Sequence, residues 1–206
     1  RDRSPSRGLG DVYKRQLERY ILARLKQVDG ALREAATGYD FDRYVRTLVD
    51  FCNEDLSAFY FDIRKDSLYC DAPSDLRRRS TRTVMALVLE RLLVWLAPIM
   101  PFTTEEAFLI SHIAGKADSV HLLTFPETPE SWLDAAHAAR WEKIFKVRRV
   151  VTGALEVERR EKRIGASLEA APEVYIQEKS LIEAFEGESP ADIFITSGAE
   201  LIDGAG

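Results

Sequence analysis

The segment 84–96, VMALVLERLLVWL, limits the fold of this chain more than any other. It is almost wholly apolar, interrupted only by Glu90 and Arg91, and its length suits a helix rather than a strand. A helix apolar on nearly every side has to sit in the middle of other helices. Pro98 and Pro101 stop it, because proline lacks the amide a helix interior needs and its ring clashes with the preceding turn. Ser74 in DAPS is the expected N-cap, followed by an arginine-rich first turn with Arg77, Arg78, Arg79 and Arg82. The chain must therefore supply apolar faces to surround this central rod.

Those faces are present on both sides of it. Leu17, Tyr20, Ile21, Leu25, Val28, Leu32 and Ala35 recur at helical spacing, and Gly38 ends the run. Asp40 is the expected N-cap of a second helix, with Tyr44, Leu48, Cys52, Leu56, Phe59 and Ile63 among the residues along one face. Running to about Lys65, it would be on the order of 37 Å long at ~1.5 Å per residue. Thr103 with Glu106 forms a capping-box pattern opening a fourth helix through about Ile113. Four helices with short connections indicate an up-and-down bundle. The segment 120–130 reads as a loop, after which Ser131 is expected to cap a long helix ending near Arg163. Beyond Gly165 the β-branched runs PEVYIQ and ADIFIT predict two strands flanking a helical segment from Lys179 to Phe185.

The predicted fold is mainly α: an up-and-down helical bundle, then a long helix and a small α/β piece. Its expected organisation is a disordered or non-native tail over 1–16, the bundle over 17–128, the long basic helix over 129–165, and a truncated α/β subdomain over 166–206. The 206 residues, 46% hydrophobic, are enough for such a core.

Catalytic patterns are missing. There is no P-loop, GxGxxG, GxSxG or HExxH segment. Cys52 and Cys70 form no CxxC pair, and His112, His121 and His137 are scattered without carboxylates at ligand spacing. No catalytic residue and no metal site is expected, and the histidines read as surface or boundary residues. No apolar run approaches the roughly 20 residues of a membrane span, so the expected compartment is the cytoplasm.

Positive charge is organised despite a net charge of −5. One cluster joins Arg77, Arg78, Arg79 and Arg82 to Arg64 and Lys65. Another gathers Arg148, Arg149, Arg159, Arg160, Lys162 and Arg163. Cations in a helix first turn oppose the macrodipole, so they imply either ion pairs with Glu54, Asp55 or Asp62, or an anionic partner. Phe59 and Trp95 read as core, whereas Tyr60, Phe61 and Tyr69 stand beside the arginines as stacking residues do in single-stranded RNA binders.

Three blocks carry a family resemblance. FCNEDLSAFYFDIRKDSLYCD (51–71), RRRSTRTVMALVLERLLVWLAPIMPFTTEEAF (77–108) and RRVVTGALEVERREKRIGASLEA (148–170) resemble the anticodon-binding region of bacterial isoleucyl-tRNA synthetases, which are class I enzymes. The likeness extends in order from about Leu17 to Gly206. The proline-break block is shared with valyl, leucyl and methionyl relatives, and the other two favour the isoleucyl branch. The resemblance implies a piece of an ATP- and Mg-dependent isoleucine–tRNA ligase whose catalytic Rossmann and editing domains lie upstream. No HIGH-like or KMSKS-like segment is present, so the chain alone is expected to lack an active site and to hold no cofactor. The zinc module that often ends bacterial members is not in the sequence. The implied partner is isoleucine-accepting tRNA, gripped at its phosphates by Arg64, Lys65, Arg148, Arg149, Arg159, Arg160, Lys162 and Arg163. A valyl or leucyl homologue, or a helical interaction module with no RNA role, are the alternatives.

Overall fold

The computed structural model describes Gly10, Val12, residues 15–111 and residues 117–205. It divides into two compact units, 1–133 and 134–206. The tail expected over 1–16 falls mostly outside the described residues. Of those described, Val12 is fully buried and Gln16 already opens the first helix.

The first unit consists of α1 (Gln16–Thr37), α2 (Phe41–Asp50), a π-helical segment (Phe51–Phe61), α3 (Asp62–Tyr69), α4 (Leu76–Leu96) and α5 (Pro101–Ile110). Asp40 caps α2 as expected, accepting a hydrogen bond from the Arg43 amide at 3.1 Å. The other expected caps shift. Asp75 rather than Ser74 caps α4, taking the Arg77 amide at 2.7 Å. α5 opens at Pro101 with no capping box, since proline at the first helical position has no amide to satisfy. The nearby carboxylate of Glu105 instead accepts from Ser119 Oγ and the Val120 amide.

Helical backbone runs without a break from Phe41 to Tyr69, through the eleven π-helical residues 51–61. Hydrogen bonds five residues apart put more residues into each turn, so every residue after the segment is rotated relative to an ideal 3.6 period. Both Phe59 and Tyr60 are consequently buried, and Arg64 and Ser67 point inward where the unbroken period placed Ile63. Tyr60 is thereby moved from the stacking candidates to the core. Phe59 and Trp95 are core, as their spacing indicated, and Tyr69 is exposed.

α4 is central, though not buried all round: Ala86 and Leu89 face solvent. The charge within its apolar run, Arg91, is 4% exposed. Its Nη2 donates to the Glu127 carbonyl at 2.9 Å and its guanidinium lies 4.8 Å over the Trp132 ring. Burial lowers its pKa from the usual arginine value. Arg33 donates to the carbonyls of Phe125 and Pro126, and Asp29 accepts from Arg33 and from Thr128 Oγ1. Two arginines and one aspartate thus tie the loop 124–132 onto α1 and α4.

The second unit is α6 (Ala135–Arg160), β1 (Glu173–Ile176), α7 (Lys179–Glu183), α8 (Pro190–Phe194) and β2 (Glu200–Asp203). Asp134, not Ser131, caps α6, and the residues around Ser131 form a separate 3-10 turn. Its buried stripe, His137, Trp141, Ile144, Val147, Val151 and Leu155, packs within the unit's core. His137 is buried rather than at the surface, accepting a hydrogen bond from Trp141 Nε1 at 3.1 Å. His121 is exposed, and His112 lies outside the described residues.

β1 forms where PEVYIQ predicted a strand. ADIFIT does not: Ser189 caps a short helix through the Asp192 amide, Pro190 occupies its first position, and Ile195 closes it with a left-handed φ of 58°. The second strand is Glu200–Asp203, parallel to β1 with Glu173 opposite Glu200. A local cap and an N1 proline outweighed the strand preference of four β-branched or aromatic residues.

Candidate nucleic-acid interface

The predicted phosphate-binding cations fall into three structural groups. Arg64 is 5% exposed, and its Nε and Nη2 hold the two carboxylate oxygens of fully buried Glu18 at 2.7 and 3.0 Å. Thr81 Oγ1 adds a third hydrogen bond to that carboxylate. A guanidinium inside the bundle cannot reach a phosphate, so Arg64 is an interior ion pair and not a contact residue.

Three more members of the first cluster, Arg77, Arg78 and Lys65, are also turned on the protein, whereas Arg82 is exposed. Arg77 grips Asp71 through two 2.7 Å hydrogen bonds, which holds that carboxyl below the usual aspartate range. Arg78 donates to the Asp71 carbonyl. Lys65 stays exposed but pairs with Asp62 one turn away. Asp55, another expected partner, is taken by Arg24 and the Tyr20 hydroxyl. Arg64, Arg77 and Lys65 of this cluster answer to the bundle's own carboxylates.

On α6, Arg148 is a fold residue. Its Nε donates to the Ile193 carbonyl at 3.0 Å, and Arg140, two turns earlier, donates to the Ala184 carbonyl at 2.8 Å. Each guanidinium covers a carbonyl at the end of a short helix, where intrahelical partners run out. Arg159 donates to Ser167 Oγ and pairs with Glu156; Arg163 is held by Glu158 and Glu161. Both are locally neutralised.

Arg149, Arg160 and Lys162 remain. All three are exposed, and among the described residues none forms an ion pair or side-chain hydrogen bond. Arg149 and Arg160 are eleven residues apart on α6, just over three full turns, so they lie on one face about 16 Å apart. That face is opposite the buried stripe.

Lys162 is placed by the way α6 ends. The Arg163 amide donates to the Glu158 carbonyl and the Lys162 amide to the Arg159 carbonyl, at 2.9 and 3.0 Å. This pairing is a Schellman closure, with Lys162 in the left-handed position at φ 58°. Glycine is the usual occupant there, because a Cβ costs energy in that conformation. A lysine in that place is strained backbone beside free positive charge.

Beside this helix end lies a groove of about 430 Å³ lined by Val150, Ala154, Leu155, Pro172, Val174 and Tyr175. Val150 is 69% exposed and Tyr175 47%. The Tyr175 hydroxyl donates to Glu173 at 3.1 Å, an interaction that fixes the ring and raises the phenol pKa. Nothing in the residue pattern signalled this groove, since Val150 read only as part of a long helix and Tyr175 as part of a strand. Among the described residues, no three His, Cys, Asp or Glu side chains converge as a metal site, and no helix is long and apolar enough to cross a membrane.

Comparison with known proteins gives this geometry a context. Residues 18–176 match the family model described as the anticodon-binding domain of tRNA ligase. The chain is 53% identical over 191 residues to an isoleucine–tRNA ligase of Agrobacterium fabrum, covering 93% of this chain and 20% of that protein. To the isoleucine–tRNA ligase of Caulobacter vibrioides it is 51% identical over 188 residues, 91% of this chain and 19% of that protein. To that of Brucella abortus it is 52% identical over 190 residues, 92% and 19% respectively. The chain thus spans about a fifth of the length of these curated relatives. With a match over most of its length, the chain belongs to the anticodon-binding domain family of tRNA ligases.

Proposed function

We propose that this chain binds the anticodon stem-loop of a tRNA, as the anticodon-binding part of an isoleucine–tRNA ligase. The observation that carries the reading is the set of unpaired cations Arg149, Arg160 and Lys162, which lie within the span matched by the family. Arg159 and Arg163 are a second rank, able to exchange their glutamate partners for phosphate oxygens, and Lys65 is a third. Isoleucine as the cognate amino acid is supported by the names of relatives near 50% identity. In the longer enzyme, ATP- and Mg-dependent isoleucylation would belong to a Rossmann domain and proofreading to an editing domain, working in the cytoplasm. This chain would contribute position and affinity, with no cofactor of its own.

Counterion release supplies the test. Each phosphate contact to a single strand adds ~0.7 to the slope of log affinity against log salt. Replacing Arg160 and Lys162 with alanine should lower that slope by about 1.4 in titrations of an anticodon stem-loop hairpin between 50 and 200 mM salt (~0.7 for each cation). Binding should weaken alike for hairpins of different loop sequence. A wild-type chain with no salt-dependent hairpin binding would overturn the reading in favour of a protein-interaction bundle.

A further inference from the structure

We propose that the outer edge of β1 takes a separate polypeptide segment as a third strand, an extended stretch in which apolar residues alternate with lysine or arginine. Occupancy of this edge does not depend on the tRNA reading above.

β1 and β2 are the two strands of one parallel sheet, so β1 has one bonded edge and one open edge. The Glu200 amide donates to the Pro172 carbonyl and the Gly204 amide to the Ile176 carbonyl, both at 3.1 Å. Successive residues of a strand turn their backbone groups to opposite sides, so Glu173 and Tyr175 direct their amides and carbonyls away from β2. Among the described residues those four groups have no backbone partner. An open edge of this kind can pair with an incoming strand, whose main-chain hydrogen bonds supply the affinity.

The edge opens onto the groove of about 430 Å³. Glu173, Val174 and Tyr175 form one wall and Val150, Ala154 and Leu155 of α6 the other, while no residue of β2 lines it. Burial alternates along β1, with Glu173 and Tyr175 on the wet face and Ile176 on the covered one. A third strand repeats that alternation. Every second side chain enters the groove against Val150 and Ala154, and those between lie beside Glu173 and Tyr175 in water.

Charge selects the chemistry of the wet positions. Glu173 and Glu200 are register partners, so two carboxylates project on one face from strands ~4.8 Å apart. Like charges placed opposite each other destabilise a strand pair. Among the described residues neither carboxylate forms an ion pair, and Glu173 accepts the Tyr175 hydroxyl. Glu158, the other charged residue lining the groove, is already held by Arg163. A lysine or arginine on a third strand would stand one strand spacing from Glu173 and offset the repulsion. β1 has no basic residue, so pairing with β1 of a second copy would not supply that charge.

The test titrates the whole 206-residue chain with an end-blocked, labelled heptapeptide alternating valine and lysine, and with its valine–glutamate counterpart. The lysine peptide should bind about 5-fold more tightly or better, and Glu173→Lys should reverse that order. N-methylation of alternate residues removes the donors along one edge of the peptide. Methylating one set should weaken binding about 5- to 100-fold and methylating the other should leave it unchanged, because a single peptide edge meets β1. Ala154→Leu fills the groove and should weaken peptide binding by a similar factor, with helix content and binding of an anticodon stem-loop hairpin unchanged. No binding of the lysine peptide overturns the proposal, as do equal affinities for the two peptides, equal losses from the two methylated sets, or unchanged peptide affinity in Ala154→Leu. Loss of hairpin binding in Ala154→Leu would give the groove to RNA and also overturn it. Self-association of the chain that Ala154→Leu abolishes would give the edge to a second copy, with the same consequence.

Discussion

Arginine does opposite work in the two units. In the bundle, Arg64 is sealed against Glu18 and Arg91 against the Glu127 carbonyl and the Trp132 ring, and each is at most 5% exposed. On α6, Arg149 and Arg160 face solvent with no side-chain partner among the described residues. The first kind costs desolvation and is tolerated only because its hydrogen bonds are nearly complete. The second kind contributes little to stability and leaves its charge available. The lesson is that a basic cluster in a sequence identifies charge, whereas burial and pairing decide whether that charge serves the fold or a ligand.

The contrast is most exposed to failure at Glu18. Glu18→Ala leaves the Arg64 guanidinium buried without a counter-charge and should destabilise the chain by about 3–5 kcal/mol in denaturant unfolding. Replacing both partners, Glu18→Leu with Arg64→Met, should recover most of that loss. A loss below ~1 kcal/mol for Glu18→Ala would mean that Arg64 is solvated and returns to the set of phosphate contacts.

A change of intermediate size separates strain from charge at one position. Lys162→Gly relieves the left-handed backbone and should stabilise the chain by about 1 kcal/mol, while removing one free cation should lower the RNA salt slope by ~0.7. Stability and binding moving in opposite directions would identify Lys162 as a residue kept for its charge. Stability falling instead would show that the lysine side chain packs.

The smallest effect is expected at Lys65, whose pair with Asp62 is on the surface. Lys65→Ala should change stability by no more than ~0.5 kcal/mol and leave the salt slope nearly unchanged. A clear drop in slope would extend the RNA surface onto the bundle.

Much of the architecture was legible in the residues. The periodic stripe of α1, the Asp40 cap and the proline stop after α4 are local signals, and local hydrogen bonding and sterics enforce them. The site was legible only in part. Arg149, Arg160 and Lys162 were among the eight cations singled out, but so were Arg64 and Arg148, which the fold consumes. What separated them was phase: the π-helical residues 51–61 rotate Arg64 inward, and α6 aims Arg148 at Ile193 while Arg149, one residue later, faces water. Single-residue spacing cannot resolve that, because a helix turns by about 100° per residue and a small error moves a side chain from core to surface.

By itself, then, the sequence determined a mainly helical chain, a bundle with an appended α/β piece, and a concentration of positive charge at the end of one long helix. Hydrophobic periodicity and caps act over a few residues, and they are written in order along the chain. The tertiary structure alone decided which arginines remain free, where the second strand lies, and that an apolar groove opens between α6 and β1. Each of those depends on groups brought together from distant positions, such as Glu18 with Arg64 or Val150 with Tyr175, and no local pattern encodes their meeting.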